Sequence, residues 1–251
     1  MRIRIRIILL LLFLGVSYVS SGKKKVELYV NLGVNHINLK DQKISSYSFH
    51  DELFSTTIGG HIFSDKWYQL YELEYVGGRM IHSFHNNTIN PYSELKYLRF
   101  QANEAWGFRL TKKEASLQVY VGSGFYQKVR ASVFNGGDDA FSQKMNFWVF
   151  GQNILCLVRR EWNTIDLRFQ CNLSLWNFSS EPEWNAYYNY DKNEFVFHGL
   201  TDWVYSQDLS LGWKISDCIT IPIGLKLEFG NSHNEMSEKY LMKQIYIGCR
   251  F

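Results

Sequence analysis

From residue 26 to its end the chain alternates apolar and polar residues with a period of two, and no stretch carries a helical period. In the segment that begins "VELYVNLGV", Val26, Leu28, Val30, Leu32 and Val34 share one face, opposite Glu27, Tyr29, Asn31 and Asn35. "IDLRFQCNLSLW" sets Ile165, Leu167, Phe169, Cys171, Leu173 and Leu175 against Asp166, Arg168, Gln170, Asn172 and Ser174. In "ITIPIGLKLEF" every odd position from Ile219 to Phe229 is apolar, opposite Thr220, Lys226 and Glu228. Successive side chains of a strand point to opposite faces, so one face of each segment demands an apolar medium and the other demands water or charge partners.

Ten segments read this way, near 25–39, 53–63, 67–77, 94–110, 115–130, 144–158, 163–176, 194–215, 219–230 and 240–251. The connections alternate in length. Short ones fall at "SDK" (64–66), "TKKE" (111–114), "RREW" (159–162) and "SDC" (216–218), and long ones around 40–52, 78–93, 131–143, 177–193 and 231–239. Short turns at one end and long loops at the other, with an even strand count, predict an all-β, transmembrane, antiparallel up-and-down β-barrel of about ten strands. Aromatic residues, 17% of the chain, suit the interfacial girdles of such a barrel.

The start of the chain agrees. Residues 1–22 carry Arg2, Arg4 and Arg6, an apolar run from Ile7 to Val16, and small residues up to Gly22, the layout of a secretory signal peptide. The apolar run is too short for a spanning helix, and none follows it. The division expected is therefore a signal peptide, 1–22, and a barrel domain, 23–251, placed in the bacterial outer membrane. The net charge of +3 does not single out a partner.

Three places resist simple alternation. Glu104 shares parity with Trp106, Phe108 and Leu110, and a bulge between Asn103 and Trp106 is expected to turn it inward. The sixth segment, "KMNFWVFGQNILCLV", is apolar on both parities and its faces stay unassigned. The eighth is too long for one simple strand, which implies a bulge or an extension beyond the membrane.

On the inward parity lie Tyr29, Glu72, Glu74, Tyr120, Lys128, Arg130, Asp166, Arg168, Lys226, Glu228 and Tyr246, the lumen-lining candidates. Glu27, Arg99, Arg109, Lys214 and Arg250 join them. Mixed signs either neutralise one another across a filled interior or line a polar path for a small solute. The expected function is a channel or binder for small polar solutes. The alternatives are a surface enzyme of protease or lipase type, using His50 with Asp51 and Asp138 with Asp139, and a closed structural or adhesive barrel. Catalysis is not expected, since Asp is common in turns for local hydrogen bonding. His82 and His85 make a weak metal pair without a third ligand, and no metal, cofactor or nucleic-acid partner is expected.

Cys156, Cys171, Cys218 and Cys249 match no metal pattern, and Cys171 and Cys249 read as small apolar residues on the outer face. The N-x-S/T triplets at Asn86, Asn172 and Asn177 read as chance matches. In the last segment Leu241, Ile245, Ile247, Cys249 and Phe251 face lipid, and pairing with the first and ninth segments closes the barrel without a bare edge.

The passages "FSTTIGGHIFSDKWYQLYELEYVGG", "LRFQANEAWGFRL", "ASLQVYVGSGF" and "FVFHGLTDWVYSQDLSLGWKI", with a final strand ending in Phe251, resemble the outer-membrane barrels similar to the nucleoside-specific channel, the Tsx-like proteins of Gram-negative bacteria. A monomer among membrane lipids is expected. The resemblance implies an outer-membrane barrel and a small-solute channel, with a nucleoside-like compound as the candidate solute. That channel is expected to have about two more strands, so twelve is the alternative count and its binding residues do not carry over. Phe251 as the last residue resembles the signal read by the barrel-assembly machinery.

Overall fold

The computed structural model describes residues 25–41, 48–82, 94–112, 115–135, 142–182, 193–198, 203–231 and 238–251. Eleven strands follow one another without a helix among the described residues: β1 (Lys25–Asp41), β2 (Ser48–Phe63), β3 (Trp67–His82), β4 (Glu94–Arg109), β5 (Leu117–Asn135), β6 (Ser142–Glu161), β7 (Ile165–Pro182), β8 (Asn193–His198), β9 (Trp203–Lys214), β10 (Thr220–Asn231) and β11 (Glu238–Arg250). Every pairing is antiparallel and joins chain neighbours except β7 with β9 and β1 with β11, the last of which closes the sheet.

β8 and β9 both pair with β7, β8 on Asn177–Pro182 and β9 on Ile165–Leu173. They form one interrupted stave, so the molecule is a closed ten-stave transmembrane barrel. The long eighth segment is thus divided, and the bulge lies across from it: the β6–β7 register shifts at Gln152/Asn153, so that Asn153 faces Ser174 and Gln152 faces Trp176.

The turns are built locally. At Ser64–Lys66 the Ser64 amide donates to the Trp67 carbonyl at 2.8 Å, and the Trp67 amide donates to Ser64 Oγ at 2.9 Å. At Trp162–Thr164 the Trp162 amide donates to the Ile165 carbonyl at 2.7 Å. Phe251 exchanges two backbone hydrogen bonds with Leu28, at 3.1 and 2.8 Å, while its ring points outward. The last residue is therefore paired rather than frayed.

Outside, Val26, Leu28, Val30, Leu32 and Val34 of β1 continue around the wall through Ile245 and Ile247 of β11, Ile223 and Leu225 of β10, and Ile58 of β2. Aromatic contacts link Trp106, Phe125, Phe150, Trp176 and Phe178 across β4 to β7, and Trp67 packs on Phe108 at the turn end. This apolar, aromatic-studded band is the surface a bilayer requires.

The strands are longer than the band. About nine to eleven residues span a membrane, yet β1 has 17 and β6 has 20. The excess lies at the loop end, where the pattern inverts: His36, Asn38 and Lys40 face out while Ile37 and Leu39 face in. Inside, Ile37, Leu39, Phe49, Leu53, Val76, Met80, Tyr97 and Met242 pack together as an apolar core. The first long connection consequently shrinks from 40–52 to the residues between Asp41 and Ser48.

Candidate functional site

The lumen is stacked in layers from the turn end upward. Lowest is an ion cluster in which Arg159 and Arg168 both reach Glu27 and Asp166, with Arg159 Nη2 to Glu27 Oε1 at 3.0 Å and Arg159 Nε to Asp166 Oδ1 at 3.2 Å. Arg250 Nη1 adds a bond to Asp166 Oδ2 at 2.8 Å, and Glu161 ties Arg159 to Lys214 and Lys25. The Phe63 ring lies under both guanidiniums, 4.5 Å from Arg159 and 5.4 Å from Arg168.

Next comes an aromatic layer of Tyr29, Phe63, Tyr68 and Tyr120 with Leu70, Ala105, Leu155 and Leu157. His61 is buried within it, stacked on Tyr29 and bonded to the Tyr68 hydroxyl at 2.9 Å. Leu155 and Leu157 explain why the sixth segment looked apolar on both parities: its inner face joins this layer while Ile154 faces out.

Above it, charges meet again. Arg99, only 1% exposed, bridges Glu74 at 2.8 Å and Glu228 at 2.7 Å. Lys226 reaches Glu74 at 3.1 Å, the Tyr240 hydroxyl donates to Glu228 at 2.7 Å, and Lys128 donates to Tyr240 at 3.0 Å. Isolated charges here would be prohibitively desolvated, and this pairing is what makes the layer tenable.

Two cavities remain between these layers. The upper, about 40 Å3, is walled by amides and hydroxyls of β4, β6, β7 and β9, including Gln101, Asn153, Asn172 and Ser206, facing Lys226 and Glu228. The lower, about 30 Å3, lies among Tyr29, His61, Arg168, Tyr246 and Arg250. Both are lined by Glu72, Gln170 and Asp208, which form the constriction between them. Tyr29 donates to Glu72 at 2.7 Å, Asn103 donates to Glu72 at 2.9 Å, and Tyr246 donates to Asp208 at 2.7 Å. These bonds hold both carboxylates in place where the two cavities meet.

Of the residues singled out from sequence, Tyr29, Glu72, Tyr246 and Arg168 line the lower cavity, and Glu72, Lys128, Lys226 and Glu228 the upper. Glu74 belongs to the Arg99 network, Asp166 to the ion cluster and Tyr120 to the aromatic layer. Arg130 is buried at the level of Arg99, its partner in the β4–β5 ladder. Asp208 and Arg159 were missed. Asp208 lies in the long eighth segment, and Arg159, assigned to a turn, is the third residue from the end of a strand that runs on to Glu161.

Other expectations are corrected. Glu104 does not turn inward: the β3–β4 and β4–β5 registers run through it without a shift, and it faces out beside Tyr71. Proximity to a phenol in the adjacent strand is what the fold provides in place of a bulge. His50 and Asp51 are consecutive residues of β2, so they lie on opposite faces and cannot act as one pair. The Asp51 carboxylate instead accepts the Glu52 amide at 2.7 Å. Asp138, Asp139, His85, Asn86 and residues 1–24 lie outside the described residues. Cys156 and Cys171 stand opposite each other in the β6–β7 ladder as free thiols, and Asn172 donates to Ser206 inside the lumen at 3.2 Å.

The class defined by this geometry is the narrow, up-and-down membrane barrel. No family model and no curated protein sequence matches the chain. Among solved structures it is similar to the outer membrane protease OmpT from Escherichia coli, at 9% identity and TM-score 0.56, over 94% of this chain and 99% of that one. The translocator domain of the autotransporter NalP from Neisseria meningitidis aligns at 7% identity and TM-score 0.49, over 94% and 90% of the two chains. The likeness to OmpT extends to the barrel fold; it does not carry over the protease's activity or the nucleoside-specific channel's.

Proposed function

We propose that the chain is a bacterial outer-membrane barrel that holds a small polar solute in its lumen, at the constriction of Glu72, Gln170 and Asp208. The observation that carries this reading is the meeting of two polar cavities at those three side chains. The two carboxylates are hydrogen-bond acceptors, while the Gln170 amide oxygen already accepts the Tyr68 hydroxyl at 3.4 Å and its N–H groups are donors, so the favoured solute is neutral or cationic and carries donors for the carboxylates. Cavities of about 40 and 30 Å3 hold a few waters each. A nucleoside-like solute, as the sequence resemblance implies, exceeds that space unless the lumen rearranges, so smaller amines, amides and polyols fit better.

Passage is a further step. The Glu27–Arg159–Asp166–Arg168–Arg250 cluster closes the turn end, and a solute leaves that way only when the arginines move. Native protein in planar bilayers is therefore expected to show small conductance steps, reduced by a bound solute. The deciding measurement is the thermal unfolding midpoint of refolded protein against a panel of ammonium, urea, glycerol, glycine amide, ribose and nucleosides. A small member should raise the midpoint, and Gln170→Leu should remove that rise while the barrel stays folded. No response to any member, with electrically silent bilayers, would overturn the reading.

A further inference from the structure

Just above the apolar band, the outer wall carries cations that oppose one another directly. On β1 the outward series changes from Val34 to His36 and Lys40, and on β11 from Ile245 to Lys243 and Lys239. In the β1–β11 ladder His36 is the partner of Lys243, and Lys40 is the partner of Lys239. All four are exposed on the same side of the sheet. Two strands away the same thing recurs, with Arg79 of β3 opposite Lys96 of β4. Glu52 stands opposite His36 on β2, and the rung beyond Lys40 and Lys239 pairs Asp41 with Glu238. Lys40, Lys239 and Lys243 form no ion pair with any described residue.

Like charges placed directly opposite in a ladder destabilise a sheet, whereas opposite charges stabilise it. A barrel that puts lysine against lysine at this border gains from the arrangement only if an anion lies between them. The border is where the outer face passes from apolar to polar, the depth at which lipid headgroups sit. We infer that His36, Lys40, Lys239 and Lys243 form a binding site for the phosphates of an outer-leaflet phosphorylated glycolipid. The acyl chains then lie along Val34, Leu32 and Ile245 below, and two lysine ammoniums converge on one phosphate as point charges. This inference rests on the membrane placement proposed above and is independent of any solute in the lumen.

The test uses full-length protein refolded in neutral detergent, with lipid A carrying both phosphates as probe and dephosphorylated lipid A as control. Phosphorylated lipid A should raise the unfolding midpoint and the control should not. Each lysine changed to glutamine at positions 40, 239 and 243 should weaken binding by about fivefold. A second variant guards against misfolding: Lys40→Glu removes the like-charge pair, so it should be more stable than native protein without lipid and yet lose the response to lipid A. Equal responses to the two lipids, an unchanged response in Lys40→Glu, or lipid-free pairing of two barrels through this face would overturn the inference. Solute binding in the lumen should be the same in all variants, which separates its failure from failure of the lumen reading.

Discussion

The lower and upper halves of β1 follow one alternation with opposite polarity. From Val26 to Val34 the outward residues are apolar and the inward ones polar; from His36 to Lys40 the outward residues are polar and Ile37 and Leu39 fill the interior. Nothing in backbone geometry changes at residue 35, since the β1–β2 and β1–β11 registers continue through it. What changes is the medium outside. Where lipid surrounds the wall the polar groups must be satisfied inside, by ion pairs and tyrosine bonds; where water surrounds it the interior can be an ordinary hydrophobic core. The two halves therefore owe their stability to different forces, and substitutions can separate them.

The largest effect is expected in the lower half, from its charge network. Arg99→Leu removes the guanidinium that bridges Glu74 and Glu228, leaving Glu74 with Lys226 and Glu228 with the Tyr240 hydroxyl. Breaking a buried pair in this way costs about 3 to 5 kcal/mol. Chemical unfolding of the refolded barrel in detergent measures it, and a loss below about 1 kcal/mol would mean that the charges are solvated and the lumen more open than its packing implies.

In the upper half, Leu53→Ala should cost about 3 kcal/mol by the same measurement, because Leu53 is fully buried among Val76, Phe49 and Met80. Val34→Ala, on the outer face only one outward step below the change of polarity, should cost well under about 1 kcal/mol, because lipid or detergent fills the space that a protein core would leave empty. If the two truncations cost the same, the upper core is not a packed interior.

Much of this was legible in sequence because period-two alternation survives whichever medium lies outside. The strands were found at the turn end within a few residues, and lumen residues such as Glu72, Lys226 and Tyr246 were found by parity alone. The loop-end extensions were not, because once polarity inverts, a segment such as "NHINLKD" reads as a polar loop although it is still strand. The same confusion put His50 and Asp51 in a loop, whereas Arg159, at the turn end, reads as a turn because it opens the polar run "RREW". Asp208 escaped because a stave interrupted between His198 and Trp203 gives no single parity to follow. The constriction itself, a meeting of β3, β7 and β9, is a product of closure that no single segment encodes.

A charge brought to the outside should separate the halves in turn. Val30→Arg places a cation in the lipid band and should cost about 2 to 4 kcal/mol in lipid vesicles. His50→Arg, outward on the neighbouring β2 above the band and on the same face as Glu52, should be nearly neutral. Folding titrations in vesicles read both, and similar costs would remove the boundary at residue 35.

The smallest effect concerns the one acid that breaks the rule of the lower half. Glu104 faces out between Ala102 and Trp106, within the same outer band as Phe100 and Phe108. Tyr71, its partner in the β3–β4 ladder, supplies a phenol rather than a cation, so the carboxyl is not held by an ion pair there. Removing it should therefore help: Glu104→Leu is expected to stabilise the barrel in lipid by about 1 kcal/mol, less than the arginine penalty because carboxylates cost less than cations at such depths. The effect should fade in small detergent micelles, where water reaches the band. A destabilised Glu104→Leu barrel would instead mean that the side-chain hydrogen bond between Tyr71 and Glu104 outweighs the cost of a carboxylate on the membrane face.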